Sequence, residues 1–265
     1  MLLTFHKILD GSKQGEREAW RAFLVDYSPI TLTLIGIYLP ECSEPRTLWR
    51  DALTSLCSED FKALGKFSGN SEREFLLDLR AFLFEVGLAA VDARDSAELT
   101  AEKVSALVKG LPLLHQEVLF LKLAGYSDST LELIFRVTPA VAQKSLERLR
   151  PDYSAALGKE QNTCVWPAAW LKLGRNLRAQ RTEACPSLRQ FIRIQDGQAG
   201  WYDKEPAEKH VSECLTCLEG WTALREVSYW RRAVEPVSAG AVEDLLRGLP
   251  VRQQPEEAKS FFKKG

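Results

Sequence analysis

Apolar positions along this chain repeat at steps of three and four residues, and runs that alternate apolar with polar residues are few. A repeat near 3.6 residues is that of an α-helix with one buried face. In the first segment the repeat passes through Ala19, Phe23, Tyr27 and Ile30. The pattern predicts an all-α protein made of small helical units.

A second helix is predicted after the turn at residues 67–71. Ser71 and Glu74 have the spacing of a capping box, in which each side chain bonds the backbone of the other residue. An apolar stripe follows, with Phe75, Leu79, Phe82, Leu83 and Val86. We expect this long helix to pack across the first ones.

The middle of the chain has the order of a helix-turn-helix motif. Residues 111–127 predict one helix that is stopped at Gly125, and two short helices follow. Ser129 and Glu132 predict a capping box for the first of these, and Thr138 is a suitable N-cap for the second.

The outer face of the last of these helices is a candidate DNA interface. Its polar side chains include Gln143, Lys144, Arg148 and Arg150. Glutamine can read an adenine edge and lysine a phosphate, but an arginine able to hold a guanine is missing from the first two turns. The sequence therefore predicts weak DNA recognition. The alternative is an ordinary solvated helix face, since Glu147 would repel phosphate.

The strongest chemical pattern lies in the last third of the chain. His210, Cys214 and Cys217 are spaced so that their donor atoms converge near one helical turn, and Cys185 can supply a fourth ligand from an earlier helix. Four such ligands predict one tetrahedral zinc site, either structural or redox-responsive. The alternative is a surface histidine beside small buried cysteines.

Composition narrows the functional classes. The chain has 265 residues, a net charge of −1 and six cysteines, too few for a disulfide-stapled secreted scaffold of this length. No apolar run approaches the roughly eighteen residues of a membrane span, and the N-terminus lacks a signal-peptide pattern. We expect a soluble cytoplasmic protein. No phosphate loop or nucleophile elbow occurs, which predicts a non-enzyme without catalytic residues.

A basic amphipathic segment at residues 170–181 precedes the cysteines. It could contact DNA, a membrane surface or an acidic part of the same chain. Residues 1–95 contain four more acidic than basic side chains. Docking on that first segment is the favoured interpretation, because the partner is present in cis.

The sequence resembles a known family at several places. Residues 15–29, GEREAWRAFLVDYSP, look like the opening helices of extracytoplasmic-function (ECF) sigma factors of the sigma-70 family. Residues 67–80 are similar to the end of that family's promoter-melting domain, and residues 111–157 resemble its upstream promoter-reading domain. Residues 185–224 look like the zinc-finger fold of zinc-binding anti-sigma factors.

The resemblance implies a sigma region 2-like domain at 1–95 and a region 4-like helix-turn-helix domain at 96–160. A linker helix with an anti-sigma-like zinc domain would follow at 161–235, and a flexible tail at 236–265. It implies a transcription regulator that binds core RNA polymerase and promoter DNA. The fused zinc domain would contact the sigma-like lobes and inhibit them in cis.

One departure from the family pattern keeps a second interpretation open. The segment that resembles the melting helix carries Asp78, Glu85 and Asp92 beside only three arginines, which are Arg73, Arg80 and Arg94. Acidic side chains oppose the phosphate contacts that supply most nonspecific DNA affinity. The alternative is a degenerate sigma-like scaffold that binds protein partners only.

Overall fold

The computed structural model describes residues 3–90, 99–138 and 167–252, together with positions 140 and 147. These residues form twelve α-helices and no β-strand, which confirms the all-α prediction. In chain order the helices are α1 Phe5–Lys13, α2 Arg17–Tyr38, α3 Pro45–Gly65, α4 Glu72–Ala90, α5 Ala101–Val108, α6 Leu113–Leu123, α7 Asp128–Phe135, α8 Pro167–Ala179, α9 Leu188–Gln195, α10 Trp201–Glu213, α11 Leu215–Ala233 and α12 Ala239–Arg247.

The first four helices pack on one another as the apolar pattern predicts. Phe23 and Tyr27 of α2 are buried against Phe75 of α4, with ring centroids 5.9 and 4.9 Å apart. The backbone N–H of Glu74 donates to the Ser71 hydroxyl at 3.2 Å, so Ser71 caps α4 as expected. The prediction that α4 packs across the first helices is confirmed.

Helices α6 and α7 are the described part of the predicted helix-turn-helix region, and the cap of α7 differs from the prediction. The helix predicted after Thr138 lies outside the described residues except for positions 140 and 147. Helix α6 ends just before Gly125, whose φ of +101° suits glycine. The N-cap of α7 is Ser127, which accepts from the Thr130 N–H, and the capping box predicted at Ser129 is wrong. Ser127 has the extended backbone that an N-cap needs, whereas Ser129 already lies in the first helical turn.

The basic segment forms α8 and docks on α4, which confirms the favoured interpretation. Arg178 pairs with Asp78, and Arg175 lies 3.4 Å from Glu85. The two helices approach closely because Gly174 faces the Phe84 ring, which a Cβ at position 174 would meet at 2.6 Å.

Helix α11 is the centre of the molecule. It packs against α2 and α4 from the first segment, α6 and α7 from the middle segment, and α8, α9 and α10. Its buried apolar side chains belong to one connected core that extends through all three of these segments. The helix that carries Cys217 therefore contacts helices from the first, middle and last segments of the described chain.

The expected flexible tail from residue 236 is wrong for residues 239–249. Helix α12 is capped by Ser238 and packs on α2, where Val242 and Leu246 are buried. Glu243 lies 3.0 Å from Arg17 and 2.7 Å from Arg21. The contacts of Val242, Leu246 and Glu243 hold α12 against α2. Residues 253–265 lie outside the described part of the chain.

Candidate metal centre

The four predicted ligands meet where three helices converge. Their donor atoms, one from each of Cys185, His210, Cys214 and Cys217, all lie within 4.8 Å of one another. Donors about 2.3 Å from a common ion at tetrahedral angles would be about 3.8 Å apart. The four residues are therefore close enough to hold a metal ion.

Three of these ligands come from the junction of α10 and α11. His210 is in the last turn of α10, and Cys217 is in the first turn of α11. Cys214 joins the two helices with an extended backbone, φ −119° and ψ 107°, and its N–H donates to the His210 carbonyl at 2.9 Å. The bend at Cys214 turns all three side chains toward one point.

The fourth ligand comes from a turn, so its expected position on a helix is wrong. Cys185 follows α8 and closes a tight turn in which its N–H donates to the Thr182 carbonyl at 3.1 Å. Pro186 comes next, and a residue before proline is disfavoured in helical conformation. The turn presents the Cys185 sulfur to the α10–α11 junction.

Two features of the donor set fit a metal better than a set of free side chains. The Nε2 atom of His210 is buried and has no hydrogen-bond partner among the described residues. A buried polar nitrogen without a partner is costly, and coordination would satisfy it. Three sulfurs and an imidazole are soft ligands of the kind that bind zinc or similar ions, rather than magnesium or calcium.

The thiols of the centre have unequal environments. Burial raises the pKa of Cys217. Burial has the same direction at Cys185, but hydrogen bonds from the Thr182 backbone and the Cys217 thiol outweigh it and lower the pKa of Cys185 to about 6. The Cys185 thiol therefore ionises more readily than the buried Cys217 thiol, and a metal-binding cysteine must be a thiolate.

The candidate DNA interface cannot be placed in the same way. Gln143, Lys144, Arg148 and Arg150 all lie outside the described residues, as does the thiol of Cys164.

On the acidic helix α4, Arg80 is buried and Arg73 is half-buried, and both face the last third of the chain. Arg80 contacts Glu219 and Glu226, each at 2.5 Å. Arg73 contacts Asp196 at 2.8 Å and Gln195 at 2.7 Å. Arg94 lies outside the described residues.

Sequence reasoning missed these acidic partners. Glu219 and Glu226 are seven positions apart on α11, so they share one helical face with its buried apolar residues. Acidic residues in an apolar stripe are a signal of a buried ion pair, because an unpaired charge there would be prohibitive. The identity of the cation could not be read from spacing, since Arg80 lies far away in the chain.

None of the helices in the described part of the chain combines the length and the apolar character needed to cross a membrane.

Comparisons of the chain with protein-family models, with curated proteins and with solved structures found no match.

Proposed function

We propose that this protein is a transcription regulator that resembles an ECF sigma factor and whose own zinc-bearing segment inhibits it in cis. One observation carries the proposal. Acidic residues of the last third of the chain engage both described arginines of α4, the helix that resembles a promoter-melting element. Inhibition follows because those cations are held away from nucleic acid phosphates.

Arg80 is the more tightly held of the two arginines. Its side chain is 3% exposed, and the side chains of Glu219 and Glu226 that contact it are 3% and 0% exposed. Its Nε also lies 2.9 Å from the Tyr38 hydroxyl. A phosphate could reach this guanidinium only after α11 leaves α4.

Arg73 lies nearer to the surface and marks the edge of the contact. Its side chain is 20% exposed, and Asp196 and Gln195 at the end of α9 bind its two terminal nitrogens. An exposed pair of this kind is worth at most about 1 kcal/mol. Arg73 can therefore be released by a small change in the position of α9.

We assign zinc to the metal centre, with a structural role. Four protein ligands close a tetrahedron and leave no position for water or substrate. Cys217 and Glu219 are two residues apart in the first turns of α11. Metal binding at Cys217 would thus fix the end of α11 that carries the first Arg80 partner, which ties inhibition to metal occupancy.

Covalent linkage makes such a contact effective. A segment joined to its target in one chain has an effective concentration on the order of millimolar. The inhibitory contact would be occupied in the absence of any signal, and release would require weakening of the zinc-bearing segment.

The test is binding of the full chain to core RNA polymerase and to single-stranded promoter DNA. Three samples are compared by fluorescence anisotropy: zinc-loaded wild type, chelator-treated wild type and zinc-loaded Asp196→Asn. We expect weak binding by the first and tighter, salt-sensitive binding by the other two. Asp244→Asn is the matched control, because Asp244 pairs with the exposed Arg247 of α12 and its loss should change neither affinity.

A second candidate function is the scaffold that binds proteins only, and the depth of Arg80 favours it. The Arg80 guanidinium is buried in a core shared by α4 and α11, as expected of an arginine that stays in place and supports the fold. Asp78 and Glu85 are likewise paired with α8. Absence of polymerase and DNA binding in all three samples would overturn the first proposal and support the scaffold.

A further inference from the structure

We infer that Arg181 is the positioning residue of the metal centre and the cation that compensates its charge. The inference deepens the proposed function, since it rests on zinc at the four ligands. Zinc with three thiolates and a neutral imidazole carries one net negative charge. A partly buried centre of that charge needs a nearby cation, because burial penalises uncompensated charge.

Arg181 lies between α8 and the turn that carries the ligand Cys185. It follows α8 and is half-buried. Its guanidinium donates to the Pro186 carbonyl, immediately after the ligand Cys185. The side chain thereby closes the turn that carries the fourth ligand, and it does so from the α8 side.

The guanidinium of Arg181 also extends toward α11. Its Nη1 atom lies 3.4 Å from the position that a Cβ of Gly220 would occupy. Gly220 follows the ligand Cys217 by three residues, so both are on the same side of α11. The glycine gives the cation room beside the first turn of α11, which carries the ligand Cys217.

The aromatic ring of Phe191 holds the Arg181 guanidinium in place. The guanidinium carbon lies 5.1 Å from the centroid of the Phe191 ring, and Phe191 is fully buried in α9. Stacking on an aromatic face suits arginine and fixes its planar group without removing its charge. Arg181 therefore contacts the Cys185 turn and α9, and it lies beside α11.

This position also connects the metal centre with the docked helix. Arg178, one turn earlier on α8, pairs with Asp78 of α4. The two arginines point to different partners, so one serves the interface with α4 and the other serves the metal centre. Substitutions of Arg178 and Arg181 can therefore be compared directly, because the two side chains serve different contacts.

The experiment compares the zinc-loaded full chain with Arg181→Met, Arg181→Lys and Arg178→Met. Zinc affinity is measured by competition with a chromogenic chelator, and the rate of thiolate alkylation by iodoacetamide is followed through zinc release. Loss of an outer-shell partner typically weakens metal affinity about tenfold or more. We expect Arg181→Met to show that loss and faster alkylation, while Arg178→Met retains wild-type values.

Arg181→Lys separates charge from shape. Lysine keeps the positive charge but lacks the planar fork, so charge compensation predicts that it recovers most of the zinc affinity. Cobalt substitution gives a readout independent of folding yield, because the thiolate-to-cobalt charge-transfer band should shift in Arg181→Met and return toward wild type in Arg181→Lys.

Two results would overturn the inference. Wild-type affinity and alkylation rate in Arg181→Met would show that the cation does not act on the centre. Equal losses in the methionine and lysine variants would show that its charge is irrelevant. A wild-type chain that binds no zinc would instead overturn the metal assignment itself, so the two failures are distinguishable.

Discussion

Arg80 and Glu226 are 146 positions apart in the chain and form a buried ion pair between α4 and α11. Glu226 also accepts hydrogen bonds from the hydroxyls of Tyr38 and Tyr126, and the Trp230 indole donates to Tyr126 at 2.8 Å. One carboxylate thus ties together side chains from the first, middle and last segments. The ion pair therefore helps to fix the position of α11 relative to α2, α4 and the segment before α7.

Removing the cation of this network should strongly destabilise the protein. In Arg80→Met, Glu219 and Glu226 would be left as uncompensated buried charges, which costs about 3–5 kcal/mol. The free energy of unfolding, measured in urea, should fall by that amount. Arg175→Met is the control, because the Arg175 pair with Glu85 is exposed and should cost less than about 1 kcal/mol. Equal losses in the two variants would contradict the network.

A second prediction compares the loss of a metal ligand with the loss of a cysteine outside the metal centre. Cys214→Ser should lose the metal and destabilise α10 and α11, because binding free energy at such a site is also folding free energy. Cys57→Ser should keep the metal, since Cys57 is buried in α3 and burial raises its pKa to about 12. Metal content by mass spectrometry and the melting temperature measure both effects. Equal metal content in the two variants would remove Cys214 from the ligand set.

Glu117 predicts a dependence of stability on pH. Its carboxylate lies in α6, 2.6 Å from Arg225 Nε and 2.8 Å from the Trp221 indole nitrogen, with the acidic Glu208 nearby. Burial raises the pKa of Glu117 from 4.5 to about 7, against the opposing effect of Arg225. The folded protein therefore holds an extra proton between these values. The contribution of Glu117 to stability is fully present below about pH 4.5 and is lost as pH rises through about 7.

Glu117→Gln removes this titration. The free energy of unfolding of the variant minus that of wild type should increase by about 3 kcal/mol between pH 4.5 and pH 7.5, as follows from the shift of the pKa. The metal ligands titrate in both proteins, so their contribution cancels when the free energy of wild type is subtracted from that of the variant. Glu243→Gln is the control, because hydrogen bonding to Arg21 lowers the pKa of Glu243, so its stabilising effect is lost as pH falls. A flat difference for Glu117→Gln would show that this carboxyl is solvated.

Local spacing and segment charge are enough to predict part of the metal site and one helix contact from the sequence. The spacing of His210, Cys214 and Cys217 predicts their convergence, because positions within one or two turns are tied by helix geometry. The docking of α8 on α4 follows from opposite charge and a shared apolar stripe. Each of these predictions depends on local periodicity or on a bulk property of a segment.

Other features depend on tertiary contacts that no local pattern encodes. Arg80 belongs to the segment that resembles the promoter-melting helix, yet it is buried because two glutamates of α11 reach it. The α12 helix has a short stripe whose partner, α2, begins more than two hundred residues earlier. Ser127 and Ser129 are equally plausible caps in sequence, and only the backbone conformation distinguishes them.

The contact between α4 and α8 supplies the last prediction. A methyl group at Gly174 would meet the Phe84 ring at 2.6 Å, and that ring is fully buried and cannot swing away. Gly174→Ala should push α8 from α4 and cost about 1–3 kcal/mol in urea unfolding. Gly36→Ala is the matched control, since position 36 is exposed in α2 with nothing within 4 Å of a new methyl, and it should gain up to about 1 kcal/mol of helix propensity. Under the proposed function, Gly174→Ala should also strengthen binding to core polymerase, because pushing α8 from α4 weakens the contact of the zinc-bearing segment with α4. A destabilised variant whose polymerase affinity is unchanged would separate the role of α8 in folding from any role in inhibition.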